Sequence, residues 1–497
     1  MIHDKPTGDE PAAMRATTNS RGSRSPEWGQ TPPKIRGIMK AADRGTTRFD
    51  QLWTLGARGI GLMLVIAGAS ATDALAQGEP AESGEITLES LQAEIELLKA
   101  AKEVQPTIGG KTSTMKFFGR IHMDSWSFPD SSAGINVLEN GDPSDAPDEQ
   151  FFFRRARIGM SGKVSPNMYY KSVLDFAKPN RLAFKDLYIG WENLPVVQKL
   201  QIGNQKRPYG LDSLNSSNSN VFMERPMVVD SVTPDARRLG ILAYGLSEDQ
   251  NWNWRYGIQN PIDVANTGVI PGQSGQYEVS GRLANTAWYE SEGRDYGHWA
   301  ISAAVSNVSD DPVRTAAIFQ SRPEGASVMR WINTGRVAGT DHYSFVGLEG
   351  VANYGPTQLT AELQGVQVSR QASTGSDLDF WGGYFYVARF LTGEHMPWNR
   401  KNGTLGRPKP KRDAGTGSWG AWQVAARYSY ADFSSHDIQG GLGQSLTLGV
   451  NWLLNANANI QFNYLFGDIS ERSETVGATT YDGGDYQILG IRFRMTF

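Results

Sequence analysis

The side chains with the most chemical capacity in this sequence are its arginines. Arg154-Arg155-Ala156-Arg157 sets three guanidiniums within four positions, denser than chance spacing gives. Lys116, Arg120, Lys171, Arg238, Arg255, Arg282, Arg389, Arg427, Arg492 and Arg494 are spread singly or in pairs through short alternating segments. A guanidinium stays charged at every relevant pH and its planar fork matches phosphate or carboxylate. Such a set can hold or pass an anion. Asp124, Asp175, Asp186, Glu278, Glu349 and Glu362 fall in the same kind of segment, so they either pair with the arginines or cancel their field. Catalysis has no comparable signal. None of the six histidines is spaced as H-x-x-x-H, Glu394-His395 is merely adjacent, and His122 with Asp124 lacks a third ligand. Cysteine is absent, which removes disulfides, thiolate metal sites and thiol nucleophiles. The sequence therefore predicts no enzyme, no metal, no cofactor and no nucleic-acid partner.

The elements that must position these charges alternate with a period of two from Met115 onward. In the last segment Leu489, Ile491, Phe493, Met495 and Phe497 share one face, and Gly490, Arg492, Arg494 and Thr496 the other. Leu446–Leu454, Ile460–Phe466 and Trp422–Tyr430 repeat the pattern, and Tyr384, Tyr386, Ala388 and Phe390 oppose Arg389. Strands are expected near 115–127, 151–163, 167–178, 183–193, 199–206, 237–246, 253–260, 275–285, 297–306, 343–353, 357–369, 379–391, 419–432, 441–454, 457–469 and 484–497. Segments of about ten residues suit tilted strands crossing a membrane. An even number would put both ends of the barrel on the periplasmic side. The expected fold is all-β: a transmembrane antiparallel β-barrel of about 16 strands, with a short N-terminal periplasmic helix or coiled coil. Turns at 165–167, 354–356 and 455–459 are tight, whereas 128–150, 207–236, 307–342 and 470–483 read as outward loops. Thr392–Ser418 breaks the rule, being long yet on the turn side. Either the count is off by one hairpin or this basic segment tucks against the barrel.

Composition agrees. The chain has 497 residues, 55 glycines and 10% aromatics, which suits a large barrel with interfacial aromatic girdles. Ile60–Ala71 is an apolar run too short to span a bilayer as a helix. With Arg48 and Arg58 before it and Ala74-Leu75-Ala76 after it, it predicts a secretory signal cleaved after Ala76. The signal starts far from Met1, so Met39-Lys40 is expected as the natural beginning. Residues 1–76 hold ten of the 48 basic and seven of the 52 acidic residues, leaving 38 against 45, a net of −7. Total charge therefore does not mark an anion path; placement must. Residues 77–110 form a linker and a helix at 86–104, where Leu88, Leu91, Ile95 and Leu98 follow a heptad pattern. It either trimerises or lies as a lone amphipathic helix. Residues 111–497 form the barrel.

A sixteen-stranded barrel leaves an aqueous channel whose selectivity follows its lining charges and any loop folded inward. Taking each apolar set as lipid-facing, the basic residues named above, Arg154 apart, point into the lumen. The 207–236 loop is about thirty residues long and rich in Ser and Asn, and loops of that length are usually functional or disordered. An inward fold would narrow the pore and bring Arg225 to the constriction. Tyr188 and Tyr244 are inward candidates for an uncharged path.

The segments FFFRRARIGMSGKVSPNMYYKSVLDFA (151–177), KDLYIGWENLP (185–195), LQIGNQKRPYGLD (200–212), FMERPM (222–227), RRLGI (237–241), FLTGEHMPWNRK (390–401) and the run from GAWQVAARYSYAD to LTLGVNWLLNANANIQFNY (420–464) resemble the phosphate-selective porin O and P family. The resemblance covers residues 115–497 in order. It implies a trimeric outer-membrane barrel with an arginine ladder and an inward third loop, passing inorganic anions such as phosphate or polyphosphate. It includes 392–418, which favours an unusual feature over a miscount. Arg154, Arg155, Arg157 and Arg225 lie in the matching motifs. Two other functions fit the residues: a general or sugar-type diffusion porin, and a barrel tethering the envelope through the 86–104 helix.

Overall fold

The computed structural model describes residues 113–178, 181–263, 275–309 and 315–497. The signal-like run, its cleavage site and the 86–104 helix lie outside the described residues. The barrel strands are β1 (Lys116–Ser131), β2 (Gln150–Ser165), β3 (Met168–Lys178), β4 (Arg181–Leu194), β5 (Gln198–Lys206), β6 (Arg237–Leu246), β7 (Trp252–Gln259) and β8 (Tyr277–Glu290). The circuit continues with β9 (Asp295–Asn307), β10 (Thr340–Tyr354), β11 (Thr357–Arg370), β12 (Leu378–Phe390), β13 (Ala421–Ser435), β14 (Ile438–Leu453), β15 (Ala458–Val476) and β16 (Thr479–Thr496). Each strand pairs with its sequence neighbours, and β16 closes on β1, giving one closed sixteen-stranded barrel. All sixteen expected strands are present.

Alternation makes the wall two-faced. Phe153, Ile158, Ile241, Val279, Val305, Val346, Phe385 and Phe493 are exposed large apolar residues around the outside, where lipid replaces water. Inward positions are polar or charged: Gln461, Asn463, Thr447 and Arg492 are buried. The closing seam shows how the last strand is held. Ile121 pairs with Met495 and Asp124 with Arg492. The Phe497 amide donates to the Gly119 carbonyl at 3.2 Å. A Cβ on Gly119 would lie 2.2 Å from the Phe497 ring, so glycine makes room for the terminal aromatic.

The end carrying the termini has the tight turns 166–167, 355–356 and 454–457. At the opposite end β1 and the β15–β16 hairpin run further than expected, so 128–131 and most of 470–483 are strand. Three connections from that end form structure of their own. The 132–149 loop carries helix α1 (Ala133–Asn140), capped by Ser132. The 207–236 loop carries short helices α2 (Leu211–Leu214) and α3 (Met227–Val232). The 308–339 connection contains a ribbon, Ile318–Ser321 against Ile332–Arg336. Together with the inner walls of β10–β16 they form one apolar cluster inside the barrel, including Ile135, Phe222, Met227, Val229, Phe319, Trp331, Phe380 and Phe433. Burying this surface against the wall is what draws the loops inward.

That cluster overturns one assignment. On β12, Tyr384, Tyr386, Ala388 and Phe390 are buried, while Phe385, Val387 and Arg389 are exposed. Arg389 therefore faces outward, bonding Thr357 at 2.7 Å, and not into the lumen as expected. The apolar set is the inner one because the Phe222 ring of the inward loop meets Tyr386 edge-on at 5.6 Å. A polar lumen is a safe premise only where no loop covers the wall.

Candidate functional site

Strand β2 solves a geometric problem for its three arginines. Strict alternation would send one of two neighbours into lipid. His122 pairs with Arg155 and Met123 with Phe153, so Arg154 is an extra residue, a β-bulge. The bulge turns Arg154, Arg155 and Arg157 all toward one cavity. Arg157 donates to Asp175 at 2.7 Å, Arg154 grips Glu224 with two bonds of 2.8 Å, and Arg155 faces His122 Nδ1 at 3.3 Å.

Buried carboxylates fasten the inward loops. Arg207 and the Tyr209 hydroxyl both donate to Glu278 where the 207–236 loop begins, at 3.0 and 2.7 Å. The Leu211 and Asp212 amides at the start of α2 donate to Glu362, at 3.1 and 2.6 Å. Gly210 has φ 120°, and a Cβ there would lie 2.3 Å from Glu362 Oε2. Further along, Glu224 accepts from Arg154 and, at 2.6 Å, from Arg492, which also holds Asp124. Burial alone would raise the Glu224 carboxyl, but Arg154 and Arg492 hold it well below the usual carboxylate range. Glu324 of the 308–339 connection receives the Met227 amide at 3.0 Å and Arg427 at 2.6 Å. Glu139 on α1 receives Trp331 Nε1 at 2.7 Å. These carboxylates link the three loops to each other and to the wall.

The long 391–420 segment also enters the lumen, from the end bearing the termini. Trp398 is buried against Tyr296 and His298, and its Nε1 donates to Thr286 at 3.0 Å. Its neighbour ribbon, Trp398–Asn399 with Thr404–Leu405, meets the inward loop where the Leu405 amide donates to Asn215 Oδ1 at 3.0 Å. The strand count is thus intact, and the segment tucks inside.

What remains open is a cavity of about 1320 Å³ along the β2–β7 wall. Its lining runs from Lys178 and Asp263, at the end away from the termini, to Gln198 and Leu246 at the opposite end. Eighteen Arg and Lys against six Asp and Glu line it, an excess of twelve positive charges among the described residues. Of the sequence-derived candidates, Arg120, Arg154, Arg155, Arg157, Lys171, Arg225, Arg238 and Arg255 are in this lining. Arg120 reaches Ser217 at 2.9 Å and Arg225 reaches Asp212 at 3.0 Å. Lys171 sits 2.7 Å from Asp186, Arg238 donates to the Pro261 carbonyl at 2.6 Å, and Arg255 to the Asn402 carbonyl at 2.7 Å.

The other candidates are placed elsewhere. Arg282 is fully buried between Glu349, His298 and the Gly403 carbonyl, behind the 391–420 segment. Arg427 and Arg492 are likewise enclosed by carboxylates under the inward loops. Arg494 holds Asn459 and the Ser217 carbonyl, and Lys116 is exposed at the start of β1. Sequence reading missed Lys178, Lys185, Lys199, Lys206, Arg207, Arg237, Arg322, Arg330, Arg336 and Lys401 in the lining. Lys185 neighbours the inward Asp186 and turns in only because the β3–β4 register shifts beside it. Arg322, Arg330 and Arg336 belong to a connection with no long alternating pattern to read. No cluster of three or more His, Cys, Asp or Glu fit for a metal occurs among the described residues.

A closed barrel with an apolar exterior, a polar interior and a charged cavity running along its wall is an outer-membrane channel of the porin class. Residues 132–497 match the family described as phosphate-selective porin O and P, and the chain belongs to that family. A relative from Caulobacter vibrioides, described as an uncharacterized protein, is 26% identical over 354 residues, covering 69% of this chain and 68% of its own. Among solved structures, the trimer form of the outer-membrane protein OmpT of Vibrio cholerae aligns at 12% identity and a TM-score of 0.48, over 78% of this chain and 100% of that one. The outer-membrane channel DcaP of Acinetobacter baumannii aligns at 10% identity and a TM-score of 0.46, over 78% and 99%.

Proposed function

We propose that this porin is a passive, anion-preferring diffusion channel, with orthophosphate or polyphosphate as its solute and the 207–236 loop as its constriction. The observation that carries the reading is the excess of twelve positive charges in the cavity lining, eighteen Arg and Lys against six Asp and Glu. The enclosed arginines elsewhere in the barrel are neutralised by Asp124, Glu224, Glu324 and Glu349, so they add little to the field. A water-filled path between low-dielectric walls focuses such a field and concentrates counter-ions. Arg155 supports the reading further: its guanidinium faces a histidine nitrogen and not a carboxylate.

The working unit in this proposal is a homotrimer exported by the signal segment, with residues 77–110 as a periplasmic linker and helix. The test is the reversal potential of the purified porin across a planar bilayer in a KCl gradient. Chloride selectivity is expected, together with a chloride current that falls as phosphate is added. A potassium-selective reading would overturn the proposal, and chloride selectivity without phosphate block would leave a general anion porin.

A further inference from the structure

The cavity lining is more than a row of cations. Along β3–β6, starting from the end bearing the termini, it carries Tyr169, Tyr188 and Tyr244 together with Gln201 and, further along β5, Gln205. Tyr169 and Tyr188 meet edge-on at 6.4 Å. Gln201 Nε2 donates to the Tyr169 hydroxyl at 3.0 Å, and the Tyr244 hydroxyl donates to Gln205 Oε1 at 2.8 Å. Glycine fits the rings into the wall: a Cβ on Gly190 would lie 2.5 Å from Tyr169 Cζ. Cations bracket this patch. Lys171 is in register with Tyr188, Lys199 with Tyr244, and the Arg255 guanidinium lies 5.3 Å from the Tyr244 ring centre.

A bare inorganic anion can use only the cations and the hydrogen-bond donors of this wall, not its ring carbon. Orthophosphate is recognised by charge and hydrogen-bond donors alone, and aromatic carbon on its path costs hydration without return. A wall that alternates ring carbon with amide and hydroxyl groups, flanked by cations, matches a solute with an anionic head and a hydroxylated carbon body. We infer that this porin favours organic phosphates, specifically phosphate monoesters of sugars, over bare orthophosphate. The anionic head is passed from Arg157 and Lys171 toward Arg255 and Lys199 while the polyol body slides past the tyrosines. This deepens the anion-channel reading and rests on it.

The full-length porin in planar bilayers tests the inference by comparing block of chloride current by glucose 6-phosphate, orthophosphate and glucose. At equal charge, glucose 6-phosphate is expected to half-block at a roughly three- to tenfold lower concentration than orthophosphate, the gain ring contacts supply. Glucose alone is expected to block far less. Tyr188→Ala and Gln201→Ala should each shrink the gap between the two phosphates. Tyr188→Phe, which keeps the ring and its packing, should retain most of it. Equal block by the two phosphates in the native porin overturns the inference, as does block by glucose matching that by its phosphate. A gap that survives both alanine variants overturns it too. The reversal potential of the same membranes separates the two failures. A chloride-selective channel without the gap loses only the sugar-phosphate preference, whereas a potassium-selective one loses the anion reading itself.

Discussion

Replacing Glu224 by glutamine tests how the inward 207–236 loop is held. The carboxylate takes two bonds of 2.8 Å from Arg154 and one of 2.6 Å from Arg492. Removing one partner of a buried ion pair costs about 3–5 kcal/mol because the other charge is left uncompensated. Two features reduce that here. Arg492 is almost fully buried but keeps both oxygens of Asp124, and the Arg154 side chain is 32% exposed to the cavity, where water screens it. A loss of about 2–3 kcal/mol in loop anchoring follows. That raises the population of a detached 207–236 loop by roughly 30- to 150-fold. Single-channel recording reads this directly: Glu224→Gln should show frequent partial closures and a wider spread of conductance. Adding Arg154→Gln, which removes the stranded charge, should quieten the channel again. Quiet Glu224→Gln channels of native conductance would refute the anchoring argument. The pH dependence has a defined sign. Because Arg154 and Arg492 hold Glu224 below its ordinary range against the effect of burial, its stabilisation is present above about pH 4.3 and is lost as pH falls toward the depressed value. Native channels should therefore stay quiet from neutral pH down to about 5 and become noisy only in stronger acid.

Three further outcomes are expected. Arg427→Met leaves Glu324 buried beside Ser445 and Thr447 without its cation, and should lower the denaturant midpoint far more than the double variant Arg427→Met/Glu324→Gln. Gly210→Ala forces a side chain into a positive-φ site against Glu362, and should destabilise the loop by about 1–3 kcal/mol, seen as faster proteolysis within 207–236. Arg389→Gln changes an outward residue, so the reversal potential should not move; a shift toward potassium would place that side chain back in the pore.

The strands were legible because their cause is local. Lipid outside and water inside impose a period of two on each segment, and Leu489–Phe497 shows it without help from the rest of the chain. The same rule misassigned β12, where the inner wall is covered by protein and turns apolar. It also gave no sign that a bulge would turn Arg154 inward or that a register shift would do so for Lys185. Those depend on which strand lies alongside and where its pairing slips.

The sequence by itself determined the all-β class, the sixteen strands and a supply of inward cations, since alternation is written residue by residue. Only the tertiary structure decided which cations face open space. Arg492 and Asp124 stand 368 positions apart and meet because β16 closes on β1. Arg427 is matched by a glutamate delivered on a folded-in connection, whereas Arg155 and Arg157 stay beside the cavity. Charge balance is a property of neighbours in space. Neighbours were assigned by barrel closure and by the apolar loops that sought the inner wall, neither of which any one strand encodes.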